Sequence, residues 1–329
     1  MIYYAVFIFT LFLSGCATQV QIKAMEPSKV KELGAGSKIS VMSFSGDKIG
    51  LSNKIEAFLA SQKIDGKSYF ELISRKEIDE VLKEQRLQAS GLLNQNEMLS
   101  VGNISGARAF ISGDVNTADV SDTRYYENRY KCLDKKCKSV STYSVSCTAR
   151  EAIVSASIKM VDVKSAEVIY TKTSSSSNRW RFCSDDIGTL VSKNVALDTL
   201  ANFVVRDLVS DLTPRYRYFS VDILDSPDIT YSKESKELLS LAVEFIKASR
   251  YDRAYALLVE LVDSTNAKSY VPFYNLGVIK EASGEYEEAQ RYYKMSDERA
   301  LKPVEQINSA ILRIDKLIQN NKIVQKQMR

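Results

Sequence analysis

The sequence predicts an α+β/α multidomain protein, in which an α/β domain is followed by an all-α helical repeat. Three observations predict this class. The chain has 329 residues, which is longer than one hydrophobic core usually organises. Strand-like and helix-like patterns alternate within residues 37–224, as they do in α/β domains. Apolar positions within residues 234–300 recur after 35 residues, which is typical of stacked helix pairs.

Composition excludes several classes of function. The 45 Lys and Arg residues nearly balance the 41 Asp and Glu residues, which argues against a nucleic-acid-binding face. The chain has no histidine, so the commonest general base and the commonest zinc ligand are absent. Neither a Gly-rich phosphate loop nor a metal-ligand spacing occurs. We therefore expect a binding protein and not an enzyme, with no catalytic residue, no metal, no cofactor and no nucleic-acid partner.

The first residues form a targeting segment. Residues 1–15 carry no charge, and the sequence LSGC at 13–16 resembles the lipobox of bacterial lipoproteins. The resemblance implies a lipoprotein signal peptide over 1–15, acylation of Cys16, and a tether over 16–36. Ala17, where Asp would retain the protein in the inner membrane, implies an outer-membrane anchor facing the periplasm. An ordinary signal peptide with an incidental cysteine is the alternative.

Four other cysteines remain, an even number in an oxidising compartment, so we expect disulfides. Four cysteines allow three connectivities, of which we favour Cys132 with Cys137 and Cys147 with Cys183. Their spacings do not resemble the paired C-x-x-C of a zinc site.

The α/β domain is predicted element by element from periodicity and caps. Alternating apolar residues indicate strands, apolar residues at helical spacing indicate helices, and S-x-x-E and N-x-x-E patterns indicate helix starts. The predicted elements are a strand at 39–44, a helix from Leu51, a strand at 69–73, helix starts at Ser74 and Asn94, and a strand at 109–115.

These segments resemble the CsgG/HfaB-like family of curli-production lipoproteins over residues 37–213. The segments that carry the resemblance are 39–44, 70–85, 88–92, 106–115, the predicted hairpin 158–170 and the predicted helix 187–212. The resemblance implies an α/β domain similar to anticodon-binding-like folds in an outer-membrane lipoprotein. It also implies oligomers that form a secretion pore from two long membrane hairpins per subunit.

The segments where those hairpins would lie do not suit lipid. Within the insertion 118–152, both faces of 123–131 carry charged residues. The second position, 171–185, contains a serine run and is too short for two crossings. We therefore favour a soluble, disulfide-closed hairpin over a membrane hairpin.

A linker is predicted at 225–233, because this segment contains Pro227. The repeat that follows resembles a tetratricopeptide pair over 234–300, with a capping helix and tail over 301–329. Such arrays present a concave groove to peptides, and Tyr274, Asn275 and Val278 are predicted to line it. The alternative is that two repeats dock on their own α/β domain or on a sister subunit.

We therefore expect an outer-membrane lipoprotein that acts as a periplasmic assembly component of the cell envelope. Its expected partners are an envelope protein or peptide at the repeats, other copies of itself, and the bilayer through Cys16. Two alternatives remain open, an oligomeric curli-type secretion channel and an activator of a peptidoglycan synthase.

Overall fold

The computed structural model describes residues 18–84, 100 and 102–329. The predicted signal peptide, Cys16, Ala17 and the predicted helix start at Asn94 lie outside the described residues. The strands are β1 (Gln19–Glu26), β2 (Ser37–Val41), β3 (Lys63–Ile64), β4 (Lys67–Ser68), β5 (Phe70–Leu72), β6 (Ala109–Cys132), β7 (Val140–Asp162), β8 (Val168–Cys183) and β9 (Arg215–Asp222). The main helices are α1 (Leu51–Ser61), α2 (Arg75–Glu84), α3 (Lys193–Val209), α4 (Lys233–Lys247), α5 (Tyr251–Ser264), α6 (Val271–Ala282), α7 (Tyr286–Asp297) and α8 (Glu305–Gln327).

The chain divides into two compact units. The α/β unit comprises Pro27–Arg215 and Val324–Arg329, and the helical unit comprises Tyr216–Ile323 and the described residues up to Glu26. None of the helices in the described part of the chain has both the length and the hydropathy needed to cross a bilayer.

The α/β unit is built on a sheet with the strand order β5-β2-β6-β7-β8. β2 is parallel to β5 and β6, whereas β7 is antiparallel to both of its neighbours, β6 and β8. Helix α1 follows β2 and buries Leu51, Ile55 and Leu59, which confirms the predicted apolar face. The predicted cap of α2 is also confirmed, because Ser74 Oγ accepts a hydrogen bond from the Glu77 N–H at 3.3 Å.

Strands β6, β7 and β8 are longer than predicted. The strand predicted at 109–115 continues to Cys132, and β8 continues through the serine run to Cys183. Both faces of these segments are rich in polar residues, so the period-two apolar pattern that marks a half-buried strand is absent from them. The segment 171–185, predicted to be too short for two membrane crossings, contributes one strand only as far as Cys183. The predicted helix 187–212 begins at Lys193, where the Ser192 side chain caps it.

The helical unit contains a two-stranded sheet of β1 and β9 in addition to its helices. The predicted tether 16–36 thus includes a strand. The two repeat-like halves turn at equivalent places, because Ser249 and Gly284 have positive φ angles of 56° and 79°. Gly277 permits a close approach of two helices, since a Cβ there would lie 2.5 Å from the Tyr293 ring.

Candidate functional site

The feature of the α/β unit that stands out is a three-stranded extension of its sheet. It consists of residues 116–132 of β6, 140–157 of β7 and 171–183 of β8. β2 pairs with β6 only as far as Val41 and Ile111, and a single further bridge joins Ser45 to Asp114. A bulge then interrupts β6 between Val115 and Thr117. Beyond it the three strands run on without another neighbouring strand in the described part of the chain.

One face of the extension has its own small core. Tyr125 lies opposite Cys147, and Cys147 lies opposite Cys183, so the strand register brings these side chains together. Cys147 and Cys183 form a disulfide, and both are buried with Val145 beneath the partly buried Tyr125. This pairing and the Cys132–Cys137 disulfide confirm the connectivity favoured from the sequence.

Charged side chains surround this small core. Arg129 donates to Glu127 at 2.5 Å and to Asp185 at 3.2 Å, and Arg181 donates to Glu127 at 3.1 Å. The hydrogen bond from Arg129 is the main cause that lowers the pKa of Glu127. The Glu127 carboxylate and the sulfurs of Cys147 and Cys183 lie within 4.8 Å of one another. Because the sulfurs are bonded to each other, they are not available as thiolate ligands for a metal.

The opposite face of the same strands carries few charges. Tyr126 and Tyr130 project from β6 there with exposed fractions of 77% and 72%. They lie across from Ser146 and Thr142 of β7. The end of the extension therefore has one charged face and one face of aromatic and hydroxyl side chains.

The extension ends in a closed turn over residues 131–140, which we call the tip. The Cys132–Cys137 disulfide closes it, and the Leu133 N–H donates to the Ser139 carbonyl at 2.8 Å. The Asp134 carboxylate accepts hydrogen bonds from the N–H groups of Lys136, Lys138 and Ser139 at 2.7–3.1 Å. The bond from Lys138 is the largest of the causes that lower the pKa of Asp134. Asp134 therefore organises the backbone of the tip.

No strand of the described part of the chain pairs with either outer edge of the extension, and we call these edges open. The Ser184 N–H donates to the Ser146 carbonyl, so the alternation of an antiparallel ladder turns the N–H groups of 173, 175, 177, 179 and 181 away from β7. The N–H of Cys183, which follows the same alternation, is capped by Asp186 at 2.7 Å. On β6, the bond from Leu133 to Ser139 likewise turns the even-numbered N–H groups outward. These edges offer unpaired donors and acceptors to another strand.

The predicted repeat groove is not open. Tyr274, Asn275 and Val278 are all buried. The Tyr274 hydroxyl donates to the Asp222 carbonyl at 3.0 Å, and Asn275 bonds both the N–H and the carbonyl of Leu224, at 3.1 and 2.8 Å. The chain segment after β9 therefore occupies the surface that was expected to take a partner peptide.

Replacing Asn275 with alanine tests the strength of this internal contact. The substitution leaves both backbone groups of Leu224 without their partner, so we expect the free energy of unfolding to fall by about 2 kcal/mol. Urea denaturation followed by circular dichroism at the helical band measures it. Asn308→Ala, at an exposed position of α8, is the control and should change stability by less than about 0.5 kcal/mol. Equal stability of the two variants would contradict the contact.

Most of the α/β unit matches a known protein family. The family described as "Curli production assembly/transport component CsgG" matches residues 26–198, which is more than half of the chain. The chain belongs to the CsgG family. The match confirms the family resemblance and includes the whole three-stranded extension.

Several solved structures are similar over part of the chain. The PelC dodecamer from Paraburkholderia phytofirmans is 14% identical, with a TM-score of 0.28, over 60% of this chain and 99% of that chain. The LpoB C-terminal domain from Salmonella enterica is 10% identical, with a TM-score of 0.28, over 46% and 95% of the two chains. Lipoprotein GNA1162 from Neisseria meningitidis is 17% identical, with a TM-score of 0.26, over 53% and 99%. No curated protein matches the chain.

Sequence reasoning missed the open edges and the tip geometry. The lysines of the tip were visible in the sequence, as was the aspartate among them. The edges were not visible, because the polar stretches of β6 and β8 lack the apolar alternation by which strands are usually found. An even alternation of β-branched or aromatic residues with polar ones, as in 140–149, was the one available signal.

Proposed function

We propose that this protein is an assembly component of the bacterial cell envelope, and that it works by binding and not by catalysis. Membership of a family named for curli production, assembly and transport supports the envelope role. The LSGC sequence at 13–16 supports a lipoprotein anchored through Cys16 at the periplasmic face of the outer membrane. The observation that carries the assembly role is the pair of open edges on the three-stranded extension.

Open edges of this length favour association between copies. An exposed edge strand pairs readily with another strand unless it is short, charged, bulged or covered. β8 has a serine run in the middle of its outward edge, and this run contains neither charge nor proline. We propose that copies of the chain associate by strand pairing at the outer edges of β6 and β8. Pairing of β8 with β6 of the next copy extends head to tail, which gives a ring if the rotation closes.

We further propose that α4–α7 form a tetratricopeptide-like pair and that α8 caps it. The shared turn positions of Ser249 and Gly284 and the close packing of Gly277 against Tyr293 support this assignment. Because the segment after β9 fills the inner surface, an envelope partner would bind elsewhere on the repeats or displace that segment. The self-association proposal does not depend on this part.

The native mass of the acylated, detergent-extracted protein, measured by light scattering, tests the assembly role. Negative-stain images of the same peak show the shape. We expect an oligomer. A closed ring of many copies with a central opening would favour the secretion-channel alternative, and a single-copy mass would contradict self-association.

Proline at an outward-facing edge position tests the route of assembly. Ser175→Pro and Val120→Pro each remove an N–H that points away from β7, so the ladder with β7 is preserved. We expect each variant to weaken association by more than about tenfold, because each proline removes a hydrogen bond of the intermolecular ladder and places its ring where the next strand would approach. The matched controls Ser175→Ala and Val120→Ala retain the N–H and should assemble normally. Assembly of the proline variants with unchanged mass would contradict pairing at these edges.

A further inference from the structure

The tip of the three-stranded extension concentrates positive charge. Lys131, Lys135, Lys136 and Lys138 are exposed, and none of them forms an ion pair with a carboxylate among the described residues. Asp134 is the one acidic residue of the tip, and its carboxylate oxygens are occupied by backbone N–H groups. The four ammonium groups therefore face solvent, and they outnumber the single carboxylate of the tip, which leaves the tip with a net positive charge.

Exposed apolar and aromatic side chains lie among these lysines. Leu133 and Val140, both in the tip, have exposed fractions of 65% and 52%. Tyr130 and Tyr143, on the adjoining strands, have exposed fractions of 72% and 45%. An exposed apolar side chain is stabilised when it moves from water to an apolar boundary. Tyrosine is favoured where an apolar phase meets water.

The tip presents these groups from a fixed conformation. The disulfide joins Cys132 to Cys137, the Leu133 N–H bonds the Ser139 carbonyl, and Asp134 fixes three further N–H groups. Little conformational entropy remains to be lost when the tip meets a partner, so its groups act together.

We propose that the tip docks on the surface of an anionic phospholipid bilayer. The four lysines would meet the negative headgroups, because a cluster of basic side chains complements an anionic membrane surface. Leu133 and Val140 would enter the boundary between headgroups and acyl chains, with Tyr130 beside them. The presence of these apolar residues favours a bilayer over a soluble polyanion. The inference concerns the tip alone and does not depend on self-association.

The charges of the four lysines limit how deeply the tip can enter the bilayer. Burying four ammonium groups in hydrocarbon is far more costly than leaving them at the headgroups. The docking is therefore peripheral, and it depends on salt because exposed charges are screened by ions.

Vesicle tethering tests the proposal with the full chain. The acylated protein is reconstituted through its own anchor into neutral phosphatidylcholine vesicles. Fluorescent acceptor vesicles contain either phosphatidylcholine alone or phosphatidylcholine with phosphatidylglycerol, and their co-sedimentation with the donor vesicles is measured. We expect capture of the anionic acceptors only. Capture should be lost when salt is raised from about 0.1 M to about 1 M, which shortens the Debye length from about 10 Å to about 3 Å.

Two variants locate the interaction in the tip. The quadruple variant K131Q/K135Q/K136Q/K138Q should bind anionic acceptors more than about tenfold more weakly, since each lysine near an anionic bilayer contributes a factor of roughly five. The control K63Q/K67Q/K159Q/K164Q removes the same charge from exposed lysines elsewhere in the α/β unit and should bind normally. Leu133→Gln keeps every charge and should weaken binding to lipid while leaving adsorption to carboxylated beads unchanged.

Three outcomes would overturn the proposal. Equal capture of neutral and anionic acceptors would show that charge is not recognised. Equal loss in the two quadruple variants would show that net charge and not the tip is responsible. Unchanged lipid binding by Leu133→Gln, with beads bound as well as vesicles, would reassign the tip to soluble or surface polyanions. Trp180 fluorescence checks that each variant is folded, because this tryptophan lies on β8 within the extension.

Discussion

Replacing Arg313 with methionine is expected to lower the free energy of unfolding by about 3–5 kcal/mol, because it removes one partner of a buried ion pair. Glu281 lies on α6 with no exposed surface. Arg313 donates to both of its carboxylate oxygens, at 2.7 and 2.9 Å, and the Tyr293 hydroxyl donates to it at 2.5 Å. Methionine matches the length of the arginine stem but leaves the carboxylate with one hydrogen bond in place of three.

The pKa shifts of Arg313 and Tyr293 agree with a buried ion pair between Arg313 and Glu281. Burial works against the charged guanidinium, but the hydrogen bonds to Glu281 raise the pKa of Arg313, so the guanidinium stays charged. Burial also raises the pKa of Tyr293, which therefore remains a neutral donor to Glu281. A protonated tyrosine and a charged arginine are the two groups that make burial of the carboxylate tolerable.

Urea denaturation followed at the helical circular-dichroism band measures the effect of Arg313→Met. Arg291→Met is the matched control, because Arg291 pairs with Glu288 at 3.5 Å on the exposed side of α7. Such surface pairs contribute about 0–1 kcal/mol. The double variant with Glu281→Leu should regain much of the lost stability, since it removes the unpaired charge. Equal stability of the Arg313 and Arg291 variants would show that the buried pair has no special role.

Loss of the Cys147–Cys183 disulfide is expected to cost about 4 kcal/mol, because it closes a loop with a sequence separation of 36 residues. The bond links β7 to β8 beneath Tyr125 and lies in the small core of the extension. Without it, the unfolded chain gains the conformational freedom of that loop, and two buried positions lose their packing.

The double variant Cys147→Ser and Cys183→Ser tests this expectation under oxidising conditions. Trp180 is the only tryptophan of the chain and lies three residues from Cys183, so its fluorescence reports unfolding of the extension. The double variant Cys132→Ser and Cys137→Ser is the internal control. Its loop has a sequence separation of only 5, and the same relation gives about 2 kcal/mol. A larger loss from the tip disulfide than from the Cys147–Cys183 disulfide would contradict the loop-entropy account.

Local patterns were enough to predict the elements whose side chains alternate between core and solvent. The strand at β2, the apolar face of α1 and the cap at Ser74 all depend on residues within a few positions of one another. Family resemblance was visible for the same reason, since it rests on the order and spacing of such elements. The cysteine count predicted two disulfides, but the choice among the three connectivities was a preference that the structure decided.

Whether the predicted groove is open depends on residues that are distant in the sequence. Tyr274 and Asn275 occupy the positions expected of a groove, but the backbone that fills it comes from Asp222 and Leu224, about fifty residues earlier. Nothing in the spacing of the repeat positions indicates which extended segment lies against them. The repeat pattern predicted the helices correctly and the availability of their inner surface incorrectly.

The sequence by itself determined the class of each unit, the helix start at Ser74 and the family, because these depend on periodicity, a local cap and the order of neighbouring elements. Only the tertiary structure decided the length of β6, β7 and β8 and the openness of their edges. It also decided the pairing of Glu281 with Arg313, which are 32 residues apart. The physical reason is that strand pairing and buried charge pairing depend on which groups meet across the fold, and polar strand residues carry no local signal of their partners.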